Sequence, residues 1–203
     1  AVPEMEECGR RCDEILSPMI EKGVIPVLGG FVGRNPDGVT TTLGRGGSDL
    51  TASLVARGLG AASLHYYKDV DGILTADPGT VPEARPVREL TFLEAAELAF
   101  LGARVLHPAS IQPAVDADIP VRVLNSYQPE ASGTLITRTR EPGGEPSRQS
   151  VVSVACKRDQ VLLHVYSTRM LGASGFLRRV FEVFEKLELS VDHIATSEVN
   201  VSV

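Results

Sequence analysis

The sequence lacks the features that mark several common classes of protein. It has three cysteines among 203 residues, an odd number too small for a disulfide framework, which points to a reducing compartment. It has no excess of base. Lys and Arg number 20 against 26 Asp and Glu, a net charge of −6, so a dedicated nucleic-acid binder with its basic footprint is disfavoured. No apolar run approaches the length of a membrane span, and nothing at the first residues resembles a signal or transit peptide. There is no G-x-x-x-x-G-K-[ST] and no G-x-G-x-x-G after a strand, which excludes Walker and Rossmann phosphate sites. There is no G-x-S-x-G elbow for a serine nucleophile. No second histidine is spaced to pair with His107, and Cys8 and Cys12 lack a companion pair, so no metal site is expected from protein ligands alone. What remains is 43% hydrophobic and 23% charged, the composition of a globular chain that can bury a core unaided. The chain does not open with Met and stops inside a polar/apolar alternation at 199–203. A fragment cut at both ends is the expectation.

The patterning is that of an α/β protein with a mostly parallel sheet, strands alternating with helices. Met5, Cys8, Cys12, Ile15, Met19 and Ile20 recur at helical spacing over 5–22, and Gly23 ends the run. Residues 24–28 (VIPVL) form a short apolar run, predicted as a buried strand. A polar turn at 34–38 precedes a glycine-rich loop at 40–49, and a helix is predicted over 50–58. Further strands are predicted at 62–67, 120–124 and 133–137, with a Gly-, Pro- and Asp-rich loop over 69–86. Thr91 and Glu94 form a capping box that opens a helix running to about Leu101, with Gly102 at its end. Pro108 opens another helix. Residues 138–149 have no apolar period and read as an interdomain linker. Beyond it the pattern is β-α-β-β: a strand at 161–166, a helix with Phe176, Leu177, Val180, Phe181, Phe184 and Leu187 on one stripe, a strand at 191–194, and another from Val199.

Chemistry concentrates in a few segments. In TTTLGRGGSD (40–49) three glycines, Gly44, Gly46 and Gly47, allow close backbone approach to a ligand. The helix that follows presents unpaired N–H groups and a partial positive charge, a ready anion site. Arg45 adds a planar fork for a carboxylate or phosphate, and Asp49 can hold an ammonium group. For Asp49 alone a simple helix-capping role is the better reading; for the whole string a binding role is. KDVDGILTADP (68–78) follows a strand, where open α/β sheets bind ligands, but its aspartates also suit a solvated turn. His107, before Pro108, reads as structural. A second strand–glycine turn–helix start, 167–177, repeats the anion-binding pattern on a smaller scale.

These strings, with FLEAAELAFLGARVLHP (92–108) and IPVRVLNSYQPEASGTLI (119–136), appear in the order and approximate spacing of aspartate kinases, which the chain resembles from Gly23 to its end. TRMLGASGFL (168–177) and SVDHIATSEV (190–199) resemble the first ACT domain of the lysine-sensitive type. The resemblance implies a three-layer α/β/α amino-acid kinase (carbamate-kinase-like) fold. Its C-terminal part would occupy 1–137, followed by the linker at 138–149 and a truncated ferredoxin-like ACT domain at 150–203. It implies phosphorylation of L-aspartate by ATP with Mg²⁺, giving 4-phospho-L-aspartate, feedback control by an amino acid, with lysine the expected effector, and dimerisation through ACT domains in a full-length chain. It implies no nucleic-acid or membrane partner, and a cytoplasmic location, or a plastid one in a plant.

Carried over residue by residue, the resemblance gives Arg45 the substrate carboxylate and Asp49 the substrate ammonium, with Gly46, Gly47 and Ser48 lining that pocket. Lys68, Asp69, Leu74, Thr75, Ala76, Asp77 and Pro78 would surround ATP, with Arg104 and Val105 completing its pocket. Met170, Gly175, Phe176, Leu177, Val191, Asp192 and Thr196 fall at effector positions, Asp192 taking a lysine ammonium. Lys68 stands where many members have Thr, and Gly79 where many have Arg. The family's N-terminal K-x-GG-[ST] segment is not in the sequence, so this chain alone is expected to be inactive or nearly so. The alternatives are another kinase of the same family, acting on uridylate or glutamate, and a non-catalytic ACT-bearing regulatory subunit.

Overall fold

The computed structural model describes residues 2–101, 105–140 and 151–203, and it divides into two units, residues 1–156 and 157–203. The first unit runs to Cys156, and Val152 and Ala155 pack against its core. Of the predicted linker at 138–149, residues 141–149 lie outside the described residues.

The predicted first helix is present as three consecutive pieces, α1 (Met5–Arg11), a π-helical turn (Cys12–Leu16) and α2 (Ser17–Glu21). Pro18 explains the interruption. It has no N–H for the carbonyl four residues back and its ring crowds that carbonyl. The ladder shifts by one residue just before it, with Ser17 N–H reaching Cys12 O. Gly23, at φ +76°, ends the helix. Cys12 is buried against Gly58, where a Cβ would lie 2.8 Å from its Sγ. Burial pushes the Cys8 and Cys12 thiols up from their ordinary pKa.

The predicted buried strand at 24–28 does not form. Among the described residues nothing pairs with it, Pro26 removes one of its donors, and Ile25 and Val27 are 86% and 94% exposed. An apolar run becomes a strand only where a neighbouring ladder exists to receive it. The chain turns instead into a short hairpin, β1 (Val32–Arg34) with β2 (Thr40–Thr42), closed by the expected polar turn.

Helix α3 (Gly47–Gly58) leads to β3 (Leu64–Lys68). β4 (Glu89–Thr91), which the sequence did not announce, runs directly into α4 (Phe92–Phe100) through the predicted Thr91–Glu94 capping box. Next come α5 (Pro108–Asp116), β5 (Val121–Asn125) and β6 (Thr134–Thr137). The four strands form one sheet in the order β3-β5-β6-β4, parallel for β3–β5 and β4–β6 and antiparallel for β5–β6. Ala56, Ala95, Ile111 and Ala114 from the helices meet Leu64, Tyr66, Val121, Val123 and Ile136 from the strands in one cluster. The alternating residues of β3, His65 and Tyr67, are exposed, as the two-residue period of a strand requires. No described helix is long and apolar enough to cross a membrane.

The second unit contains β7 (His164–Tyr166), α6 (Phe176–Lys186), β8 (Ala195–Thr196) and β9 (Asn200–Ser202), an antiparallel sheet in the order β7-β9-β8. The expected β-α-β-β order is present. The strand predicted at 191–194 lies instead at Ala195–Thr196, where the ladder to β9 exists.

Candidate functional site

The glycine loop is built by backbone conformation first. Gly44 and Gly46 sit at φ +80° and +69°, a region other residues enter at a cost. Gly46 is the N-cap of α3, and Gly47 N–H bonds Gly44 O at 3.0 Å. Three neighbours press on this turn. At Gly46 a Cβ would meet Ser110 Oγ at 2.4 Å and His107 Cβ at 3.0 Å; at Gly47 it would meet the Phe31 ring at 2.9 Å. Gly30 likewise packs against Ser48, whose Cα would lie 3.0 Å from a Cβ at position 30. Ser110 Oγ donates to Gly46 O at 3.1 Å. Phe31 itself holds φ +75°, unusual for a bulky residue and a form of strain that clusters at functional sites.

Arg45 is carried between the two left-handed glycines and is exposed. It lines a cavity of about 1030 Å³ together with Leu43, Leu50, Phe92, His107 and Ile111. His107 Nδ1 is buried there and is the one buried side-chain polar atom without a hydrogen-bond partner among the described residues.

Asp49 lies in the first turn of α3 and is fixed at both ends by β3. Lys68 Nζ donates to both of its carboxylate oxygens at 2.7 Å. Tyr66 OH donates to its backbone carbonyl at 2.9 Å. Having spent its proton there, Tyr66 accepts from Ser53 Oγ at 2.6 Å. Burial, above all, pushes the Tyr66 hydroxyl up to about 12, with the Ser53 bond opposing and the Asp49 charge assisting. Lys68 Nζ also stands 5.6 Å from the Tyr66 ring centroid, within cation–π range.

The loop after β3 is pinned from several sides. Ser126 donates to Lys68 O through its N–H and its hydroxyl, at 2.8 and 2.9 Å. Asn125 Nδ2 donates to Asp71 Oδ1 at 2.6 Å. Thr134 Oγ1, fully buried, accepts from Ile73 N–H at 2.8 Å and donates to Val87 O at 2.6 Å. Leu74 bridges Pro86, and Thr75 N–H bonds Arg85 O at 2.8 Å. Ser153 Oγ donates to Leu74 O at 2.8 Å and Val154 N–H to Thr75 O at 2.9 Å.

The anticipated residues therefore have different fates. Gly46, Gly47, Ser48, Asp49 and Lys68 come together at the start of α3. Asp69 is exposed, as is Pro78, while Ala76 is half-buried. Asp77 Oδ1 accepts from Gly79 N–H at 2.9 Å, the turn-forming role that its spacing also allowed. Val105 packs against the core, and Arg104 lies outside the described residues. In the second unit Met170 ends a 3₁₀ turn, Gly175 (φ +75°) caps α6, and Phe176 and Leu177 begin it. Val191 and Asp192 lie in the stretch before β8, and Thr196 lies on β8. The Asp192 carboxylate holds the Lys157 ammonium. Sequence reasoning missed Phe31, Tyr66, Ser110 and Ser153. Only the Gly29-Gly30 doublet carried a local signal of close approach.

The sequence profile described as the Amino acid kinase family matches residues 6–125. The chain is 51% identical to aspartokinase 1, chloroplastic, of Arabidopsis thaliana over 88% of its own length and 31% of that protein's. Among solved structures, aspartokinase III of E. coli in complex with aspartate and ADP (R-state) superposes with a TM-score of 0.80 at 42% identity, covering 98% of this chain and 43% of that one. The same enzyme in complex with lysine and aspartate (T-state) gives 0.77 at 42% identity, over 100% and 44%. The chain thus spans less than half the length of the relatives it matches. With a profile match running from α1 through β5, more than half of the chain, this protein belongs to the amino acid kinase family.

Proposed function

We propose that this chain supplies the aspartate-binding loop and part of the nucleotide site of an aspartate kinase, which transfers the γ-phosphoryl group of ATP to the side-chain carboxylate of L-aspartate. The observation that supports this most is the meeting of Asp49 and Lys68. It joins the GRGGSD segment to the first residue of the KDVDG segment, so a loop suited to an amino acid and a loop suited to a nucleotide share one junction. The relative crystallised with aspartate and ADP is consistent with such a pairing of ligands.

The chemistry asks little covalent work of the protein. The nucleophile is the substrate's own carboxylate, ionised at neutral pH, so no general base is needed. Positioning and charge neutralisation dominate phosphoryl transfer. In this reading the Arg45 fork grips a substrate carboxylate, Asp49 receives the substrate ammonium, and the N–H groups opening α3 face the anionic end. The stretch 68–78 lies along the nucleotide, held in shape by Thr134, Asn125 and Ser153. Mg²⁺ takes oxygen ligands, commonly one or two carboxylates with substrate phosphates; Asp69, exposed just past β3, fits such a role, and the ion supplies charge neutralisation on the phosphates. The second unit is read as the opening part of an ACT domain whose Asp192 receives the ammonium of an effector, with lysine favoured by the relative crystallised with lysine.

The test is ADP release from ATP and Mg²⁺ by the full-length protein that carries this segment, with hydroxylamine trapping any acyl phosphate formed. Aspartate, glutamate and UMP are compared, each with and without lysine. Turnover with aspartate alone, suppressed by lysine, is expected. Turnover with UMP or glutamate in place of aspartate would overturn the substrate assignment.

A further inference from the structure

We infer that Lys68 is the resident occupant of the Asp49 ammonium site, and that an amino-acid substrate enters by displacing it, one ammonium group for another. This inference rests on the aspartate kinase reading above and deepens it.

The Lys68–Asp49 pair is not a loose surface bridge. Nζ reaches both carboxylate oxygens at 2.7 Å, and the two side chains are only 25% and 19% exposed. The Asp49 backbone is tied to Tyr66, so the main chain that carries the carboxylate stays in place whether or not Lys68 stays on it. A half-buried carboxylate without a partner is costly; Lys68 supplies that partner while the site is empty.

The same geometry makes Lys68 a competitor. A carboxylate that gives both oxygens to one ammonium cannot offer the same bonds to a second. Two ammonium groups beside a single carboxylate also leave a net positive charge and repel one another. Lys68 has to yield when an α-ammonium arrives, and its flexible four-carbon stem with rotatable donors allows that, where a planar guanidinium fork would not. Its backbone remains at the start of the 68–78 loop, so in the kinase reading the released cation is left beside the nucleotide phosphates. Binding of the amino acid thereby delivers a cation to the transferable phosphoryl group. A dicarboxylate without an amino group, such as succinate, leaves Lys68 on Asp49 and the phosphate without that cation. Lys68 is in this sense a positioning and specificity-determining residue.

The experiment uses the full-length enzyme carrying this segment, ¹⁵N-labelled at lysine, with the Lys68 Nζ signal assigned by its loss in Lys68→Arg. L-aspartate is expected to shift that signal and speed its proton exchange, while succinate leaves both unchanged. A signal unmoved at saturating aspartate overturns the inference. In parallel, Lys68→Met is expected to lower KM for aspartate several-fold, because the competitor is gone, while lowering kcat and raising KM for ATP. A purely structural lysine would raise KM for aspartate instead, and an unchanged or raised KM in a folded variant overturns the exchange. Failure of the wild-type enzyme to phosphorylate aspartate at all is read before any variant is made; it overturns the kinase assignment, and this inference with it.

Discussion

The hydroxyl of Ser110 donates to the carbonyl of Gly46 across 64 residues of sequence, so the start of α5 holds the turn that opens α3. The glycine loop is therefore not a free strap but a clamped one, pressed from one side by α5 and from the other by Phe31.

Gly46→Ala is expected to be among the most damaging small substitutions in the chain. The backbone sits at φ +69° and the new Cβ would stand 2.4 Å from Ser110 Oγ. The left-handed conformation alone costs a non-glycine residue about 1–3 kcal/mol. Urea unfolding should show at least that loss. Gly44→Ala, left-handed but with nothing within 4 Å of its Cβ, should show the conformational cost without the clash, and so a smaller loss.

Tyr66→Phe is expected to lower stability by about 1–3 kcal/mol, the range for leaving buried polar partners unmade, because Ser53 Oγ and the Asp49 carbonyl both lose the hydroxyl. The hydroxyl also gives a pH signature. Its folded pKa, pushed up to about 12, lies above the ordinary value of 10. The stabilisation is therefore complete below pH 10 and lost as pH rises from there through about 12. Unfolding midpoints measured between pH 9 and 12 should fall more steeply for the wild type than for Tyr66→Phe.

Thr134→Val is expected to loosen the 68–78 segment. Valine keeps the shape but leaves the Ile73 N–H without its acceptor and the Val87 carbonyl without its donor, a loss of about 1–3 kcal/mol for an unsatisfied buried group. Hydrogen exchange at Ile73 should accelerate in the variant. Unchanged protection there would show that the loop is held by its other contacts.

Glu94 predicts an acid-side effect. Burial works against its charge, but the Thr91 N–H and hydroxyl and the Arg140 guanidinium outweigh that, and its pKa lies below the ordinary 4.5. A depressed carboxylate contributes stability above its unfolded pKa and loses it as pH falls through the folded one. Glu94→Gln should flatten the stability–pH profile below about pH 4.5, and Thr91→Ala should cost about 0.5–2 kcal/mol at neutral pH, as N-cap removals do. Both are read from thermal unfolding across pH 3–7.

Much of this protein was legible locally. The capping box at Thr91 and Glu94, the helix opened by Pro108, the glycine-rich entry to α3 and the amphipathic stripe of α6 are decided by neighbours within a few residues, whose capping bonds and periodicity the sequence displays directly. Residues 24–28 and β4 went the other way. The first has the composition of a strand and is exposed; the second has little strand character and is paired. Strand pairing is a property of two distant segments at once, and no single run encodes its partner. The candidate site divides along the same line. Glycines, Arg45 and Asp49 were visible as a binding string because their chemistry is intrinsic. That Asp49 holds Lys68, that Tyr66 ties its backbone, and that Ser110 and Phe31 press on the glycines became decidable only when β3, α3 and α5 were packed together. Hydrogen bonds of that kind depend on distances across tens of residues, which tertiary packing alone sets.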